Sequence, residues 1–234
     1  MWDSIIVQAL RYMVYGPPYY ENISYNTRVS LQYLIPAFLI MLLVNRKTSG
    51  LYRGYGILQV IRGVSRKRII LLLYARLVGQ VLKYLGMYYL GIAILTSVLY
   101  IGGNDILTEE LGEEVLQTYG SVSGGSLIMA TLMYITVYIV IALALSFAEH
   151  FVSDKTAYVA LITVVFVMME LDNLIVVTGL PKWLHYILIY NFAYGLRNGI
   201  YGEGSVITEM MVLSVTALVI VVGSVRLYSK KDLV

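Results

Sequence analysis

The residues whose types could do chemistry are two histidines, an acidic pair and a few serine–glycine clusters, and each lacks the spacing its chemistry needs. A helical zinc hydrolase requires two histidines one turn apart with a glutamate beside them, so that both imidazoles reach one ion. Here the histidines are His150 and His185, 35 positions apart, and Glu149-His150 reads as a helix end. Glu113-Glu114 pairs two carboxylates but is followed by Gln117 and Thr118 rather than a cation, and reads as a solvated face. Gly202-Glu203-Gly204-Ser205 has neither the spacing nor the lysine of a loop that cradles phosphate with backbone N–H groups. Ser123-Gly124-Gly125-Ser126 reads as a flexible entry to an apolar run. With no cysteine there is no thiolate ligand and no disulfide framework. The expectation is a chain without catalysis, metal or cofactor of its own.

Ionisable groups inside apolar runs are the next candidates, because inserting one into a membrane costs about 3 kcal/mol. Glu170 and Asp172 fall toward the end of such a run. They read either as a polar helix end facing water or a second copy, or as substrate contacts. Tyrosine is abundant, 22 against 5 Phe and 2 Trp. Most are expected in the interfacial belts that suit an amphipathic ring. Tyr84 with Tyr88, and Tyr134 with Tyr138, recur at one-turn spacing and are the ones expected to line a path for an amphipathic substrate. Arg76, Gln80 and Lys83 share one helical face, which suggests that residues 69–83 lie partly along a membrane interface before a span proper.

The elements that must position these residues are read from hydropathy. Only 13% of the 234 residues are charged and 59% are hydrophobic, against roughly a quarter charged in a soluble domain. A helix crosses the hydrocarbon with about 20 apolar residues, since backbone groups find no water there. Residues 31–44, 84–101, 127–147, 157–177 and 210–227 fit, giving an all-α polytopic bundle of five spans. A shorter aromatic stretch, 183–196, follows Leu180-Pro181 and contains Asn191 and Gly195; it reads as a re-entrant hairpin. Lys and Arg in short loops mark the cytoplasmic side. Residues 45–68 carry Arg46, Lys47, Arg53, Arg62, Arg66, Lys67 and Arg68 without an acid, so that segment belongs inside. Residues 102–125 carry Asp105, Glu109, Glu110, Glu113 and Glu114 without a cation, and belong outside. Residues 1–28 and 178–206 then fall outside and the C-terminus inside a multi-pass cell-membrane protein.

The basic segment is more than a charge run. Leu51, Tyr55, Leu58 and Ile61 form an apolar stripe flanked by Arg62 and punctuated by Gly50, Gly54, Gly56 and Gly63, as expected of a short amphipathic docking helix. Ser49-Gly50, then Ser65-Arg66, Ile69-Ile70 and Arg76 resemble the cytoplasmic coupling region of type 2 ABC exporter permeases. Leu180-Pro181-Lys182-Trp183-Leu184 leading to Tyr190-Asn191-Phe192 is similar to that family's outer hairpin. Tyr228-Ser229-Lys230-Lys231-Asp232 resembles its C-terminal end. All three occur in the family's order. Phe192 replaces the usual proline, Gly63 or Val64 stands at another proline position, and basic residues precede Gly50 where an acid is usual.

The resemblance implies one transmembrane permease domain that exports an amphipathic or hydrophobic molecule such as a peptide, lipid or drug. It implies pairing with a second permease copy, identical or different, and with two separate ATP-binding subunits that hold ATP and Mg. Gly50, Leu51, Tyr55, Leu58, Ile61, Arg62, Ser65 and Arg66 would couple to those subunits, and Tyr84, Tyr88, Tyr134, Tyr138, Glu170 and Asp172 would line the path. No nucleic-acid partner is expected. An even number of spans, usual in such permeases, argues for a sixth span before Met1. The alternative is a non-transporting membrane immunity or sensor component whose basic loop touches lipid or a kinase.

Overall fold

The computed structural model describes residues 13–14, 16, 31, 33–50, 63–101, 124–194 and 205–230. Among them there is no strand. The elements are α1 (Ile35–Gly50), α2 (Arg66–Ile101), α3 (Gly124–Ala148), α4 (Asp154–Thr178), two 3-10 turns (Lys182–Ile187 and Ile189–Ala193) and α5 (Ser205–Lys230). Four stretches, Arg66–Val98, Leu127–Ala148, Asp154–Ile175 and Val206–Tyr228, are long and apolar enough to cross a membrane, while the apolar part of α1, Ile35–Val44, is shorter.

Each helix is punctuated by its own sequence. Pro36 sits in the first turn of α1, where its missing N–H removes no helical bond. Ser153 caps α4, its hydroxyl accepting from the Thr156 N–H at 3.3 Å, and Asp154 follows in the first turn, where the helix dipole favours an anion. Gly179 ends α4 at φ 70°. The Leu180 N–H turns back to the Ile175 carbonyl at 3.1 Å, and Pro181 stops further helix. Within the apolar helices, Thr96, Ser97, Thr131, Thr163 and Ser214 donate their hydroxyls to carbonyls four residues back, which satisfies a polar group where water is scarce.

The central element is α3, which packs against α1, α2, α4, α5 and the second 3-10 turn. Residues 140–143 of α3 are all buried, which fits a helix surrounded by others. Between apolar helices in lipid, close packing rather than escape from water supplies the attraction, and small residues permit it. Ala37, Ala142 and Ser146 are fully buried, and Gly223 of α5 lies so near Phe147 that a Cβ there would sit 3.2 Å from the ring. The outward faces stay apolar: Ile94 is 64% exposed and Leu218 64%. So large an apolar exterior is compatible with lipid and unlike a soluble monomer.

Residues 69–83, expected to lie partly along a membrane interface before a span proper, are continuous with the residues that follow: α2 runs unbroken over 36 residues from Arg66. Ile70, Leu73, Tyr74, Leu77, Val81 and Leu85 form its buried stripe, so the first half of α2 packs into the bundle beside α1, α3 and α5. No proline interrupts it, and although each glycine costs about 1 kcal/mol in a helix, tertiary packing outweighs Gly79 and Gly86. Arg76 and Lys83 are exposed on the opposite face.

Candidate functional site

Most of the fully buried polar side chains gather where α4 gives way to the 3-10 turns and α5 begins. Leu188 separates two single 3-10 segments, and the second directs Tyr190, Asn191, Phe192 and Ala193 inward. Asn191 donates from Nδ2 to the Met168 carbonyl at 2.8 Å, fastening the segment to α4.

Tyr190 is the hub of a hydroxyl web. Its oxygen lies 2.7 Å from that of Tyr194 and 3.3 Å from that of Tyr138. Both Tyr190 and Tyr194 reach the Tyr33 carbonyl just ahead of α1, at 2.9 and 3.0 Å. A hydroxyl has one proton and two lone pairs, so the three protons of Tyr138, Tyr190 and Tyr194 are shared over four contacts: with Tyr138 donating to Tyr190, one of Tyr190 and Tyr194 donates to the other and the remaining proton goes to the Tyr33 carbonyl. Burial, with the neighbouring Tyr194, pushes the Tyr190 phenol well above its usual range and keeps it a neutral donor. Ring contacts reinforce the web, with Tyr134 at 4.7 Å from Tyr138 and Tyr33 edge-on to Tyr194 at 5.5 Å. Met13, Val14 and Gly16 are buried as well, and Gly16 packs against the web. Gly16 has φ 68°, and a Cβ on it would meet the Tyr194 ring at 2.4 Å, so only glycine fits this close approach.

Beside the web lies a charged triad, every member of it fully buried. His185 of the first 3-10 turn donates from Nδ1 to Asp172 Oδ1 of α4 at 2.8 Å. Its other nitrogen, Nε2, faces Glu209 Oε1 of α5 at 3.4 Å. Burial opposes the charged imidazole, but the hydrogen bonds and charges of Asp172 and Glu209 outweigh it and raise the His185 pKa above its usual 6.5. The imidazole rests on the Phe192 ring, 5.2 Å away. Chemically the triad can hold a proton. Among the described residues no group of three or more His, Cys, Asp or Glu side chains has metal-binding geometry.

The sequence-predicted path residues are thus split. Tyr134 and Tyr138 are fully buried in the single chain and Asp172 is engaged by His185. Tyr84, Tyr88 and Glu170 are half-buried. Of the coupling residues, Gly50 ends α1, Ser65 is exposed and Arg66 opens α2 half-buried; Leu51, Tyr55, Leu58, Ile61 and Arg62 lie outside the described residues.

His185 and Glu209 escape a reading made from the sequence. His185 fails the spacing test for a metal site, and Glu209 falls one residue before the apolar run at 210–227. A helical-register signal did exist: Glu209, Leu213, Ile220, Ser224 and Tyr228 share one face of α5, and all are buried.

No curated protein and no solved structure matches the chain. Residues 7–234 match the family model described as "Protein of unknown function (DUF2705)", and the chain belongs to that family.

Proposed function

We propose that this chain is the permease subunit of an ATP-driven ABC exporter, non-catalytic itself. In this reading five helices cross the cell membrane, the 3-10 segment is an outer re-entrant hairpin, and the C-terminus and the basic segment at 45–68 are cytoplasmic. Two ATP-binding subunits with ATP and Mg dock on the basic segment, and a second permease copy completes the path for an amphipathic or hydrophobic substrate. The half-buried Tyr84 and Tyr88 on α2 are the tyrosines best placed to meet that substrate.

The observation that carries the reading is the continuity of α2. It starts at Arg66, directly after the basic amphipathic stretch, and runs unbroken to Ile101, about 54 Å at 1.5 Å per residue. Its first half is packed against α1, α3 and α5. A push on the stretch is therefore transmitted as a rigid-body tilt rather than lost in a hinge.

The test is co-purification. The chain is expected to bring down a Walker-motif ATPase, and Leu58→Asp, which places a charge in the middle of the docking stripe, should weaken that association at least tenfold, roughly 1.4 kcal/mol or more, while leaving the protein in the membrane. Association that survives Leu58→Asp sinks the coupling assignment. Function with no ATPase partner at all selects the immunity or sensor alternative.

A further inference from the structure

Three elements meet at His185, and the ring's two nitrogens are used unequally. With Nδ1–H donated to Asp172, a neutral imidazole has only a lone pair left on Nε2, and that lone pair faces the Glu209 carboxylate at 3.4 Å. Two acceptors in contact repel. Neither Glu209 oxygen accepts a hydrogen bond from another group among the described residues, so among those residues His185 is the group in contact that can offset the burial of that carboxylate. A proton on Nε2 turns the same contact into a charge-assisted N–H···O⁻ pair.

We propose that His185 is a proton-binding latch: protonated, it bridges Asp172 of α4 and Glu209 of α5 and holds the 3-10 segment against both helices; deprotonated, it keeps Asp172 but releases Glu209, and the segment loosens from α5. The step is a simple proton exchange with water, adding one positive charge to the imidazole when the proton binds and removing it when the proton leaves. Among the described residues, the groups that face the imidazole include Asp172 from α4, Glu209 from α5, and the Tyr186 and Phe192 rings, 5.9 and 5.2 Å away. Glu170 is half-buried two positions from Asp172, and Lys182 precedes His185 by three positions. Tyr190 is committed to the hydroxyl web. The latch operates at the opposite end of the bundle from the basic segment, with or without an ATPase bound there.

The absence of cysteine makes a clean experiment possible. Ile187, 57% exposed at the end of the first 3-10 turn, is replaced by Cys in the full chain, given a nitroxide, and followed by EPR in lipid nanodiscs between about pH 5 and about pH 9. The label should be immobile at the acid end and become mobile through a transition centred above 6.5, the ordinary histidine value. Glu209→Gln should move that midpoint down by about one unit, and His185→Gln should abolish the pH dependence. A spectrum that does not change with pH in the parent overturns the latch, as does an equal transition in His185→Gln. If His185→Gln does not fold, the Glu209→Gln midpoint decides, and an unmoved midpoint overturns it.

Discussion

The two ends of this bundle are built from the same apolar helices and closed by different chemistry. At the 3-10 end, a tyrosine web and an Asp–His–Glu triad are wholly buried. Two of the hydrogen bonds there join elements more than 100 positions apart in the chain. At the basic end Lys67, Arg68 and Arg226 stay exposed, Phe151 in the α3–α4 turn is 63% exposed, and a buried hydroxyl pair, Tyr74 to Ser224, joins α2 to α5. Buried polar groups are costly when their partners are lost, and a satisfied network of them rigidifies the elements it joins. The tyrosine web therefore specifies one arrangement at the 3-10 end, where only the His185–Glu209 contact is open to a proton switch, and the basic end is the one less tied by polar contacts.

The contrast can be broken most forcefully at Asp172. Asp172→Ala leaves a buried imidazole without its hydrogen-bonded anion and should cost about 3–5 kcal/mol, read as a fall in unfolding temperature in detergent. The raised pKa of His185 sets the sign of the pH dependence. Its stabilisation is fully present below the unfolded value of about 6.5 and is lost as pH rises through the higher folded value. The Asp172→Ala deficit should accordingly be largest in acid and shrink as pH rises. Equal deficits across that window would argue that the triad is neutral and structural. A smaller effect is expected at Tyr190. Tyr190→Phe keeps the ring but deletes the hydroxyl shared by Tyr138 and Tyr194, for a loss of about 1–2 kcal/mol. The smallest is expected at the opposite end, where Ser224→Ala removes one hydroxyl and should cost about 1 kcal/mol or less. If Ser224→Ala proves as damaging as Tyr190→Phe by the same thermal measurement, the two ends are equally fixed and the contrast fails.

Much of the fold was legible because a helix in an apolar environment is announced by its own residues. The runs that became α3, α4 and α5 match the expected stretches to within a few positions, and Ser153 and Gly179 mark the ends of α4 by local rules. The start of α2 was not legible. Cations at Arg76 and Lys83 suggest an interfacial helix when read along the chain, yet they occupy the exposed face of a helix whose other face is an apolar stripe from Ile70 to Leu85. Tyr134 and Tyr138 likewise follow helical spacing, but spacing alone does not say whether the shared face meets a path, a belt or the core. The web that buries them is completed by Tyr33, Tyr190 and Tyr194 from distant segments.

By itself the sequence determined that the chain is helical and apolar, with its acids and cations grouped in separate segments, because backbone hydrogen bonding and charge placement are local properties of consecutive residues. Only the tertiary structure decided that Asp172, His185 and Glu209 form one buried group. They lie on three elements, 13 and 24 positions apart along the chain, and the energy of a buried charge depends on what folding places within a few ångströms of it, which no local pattern records.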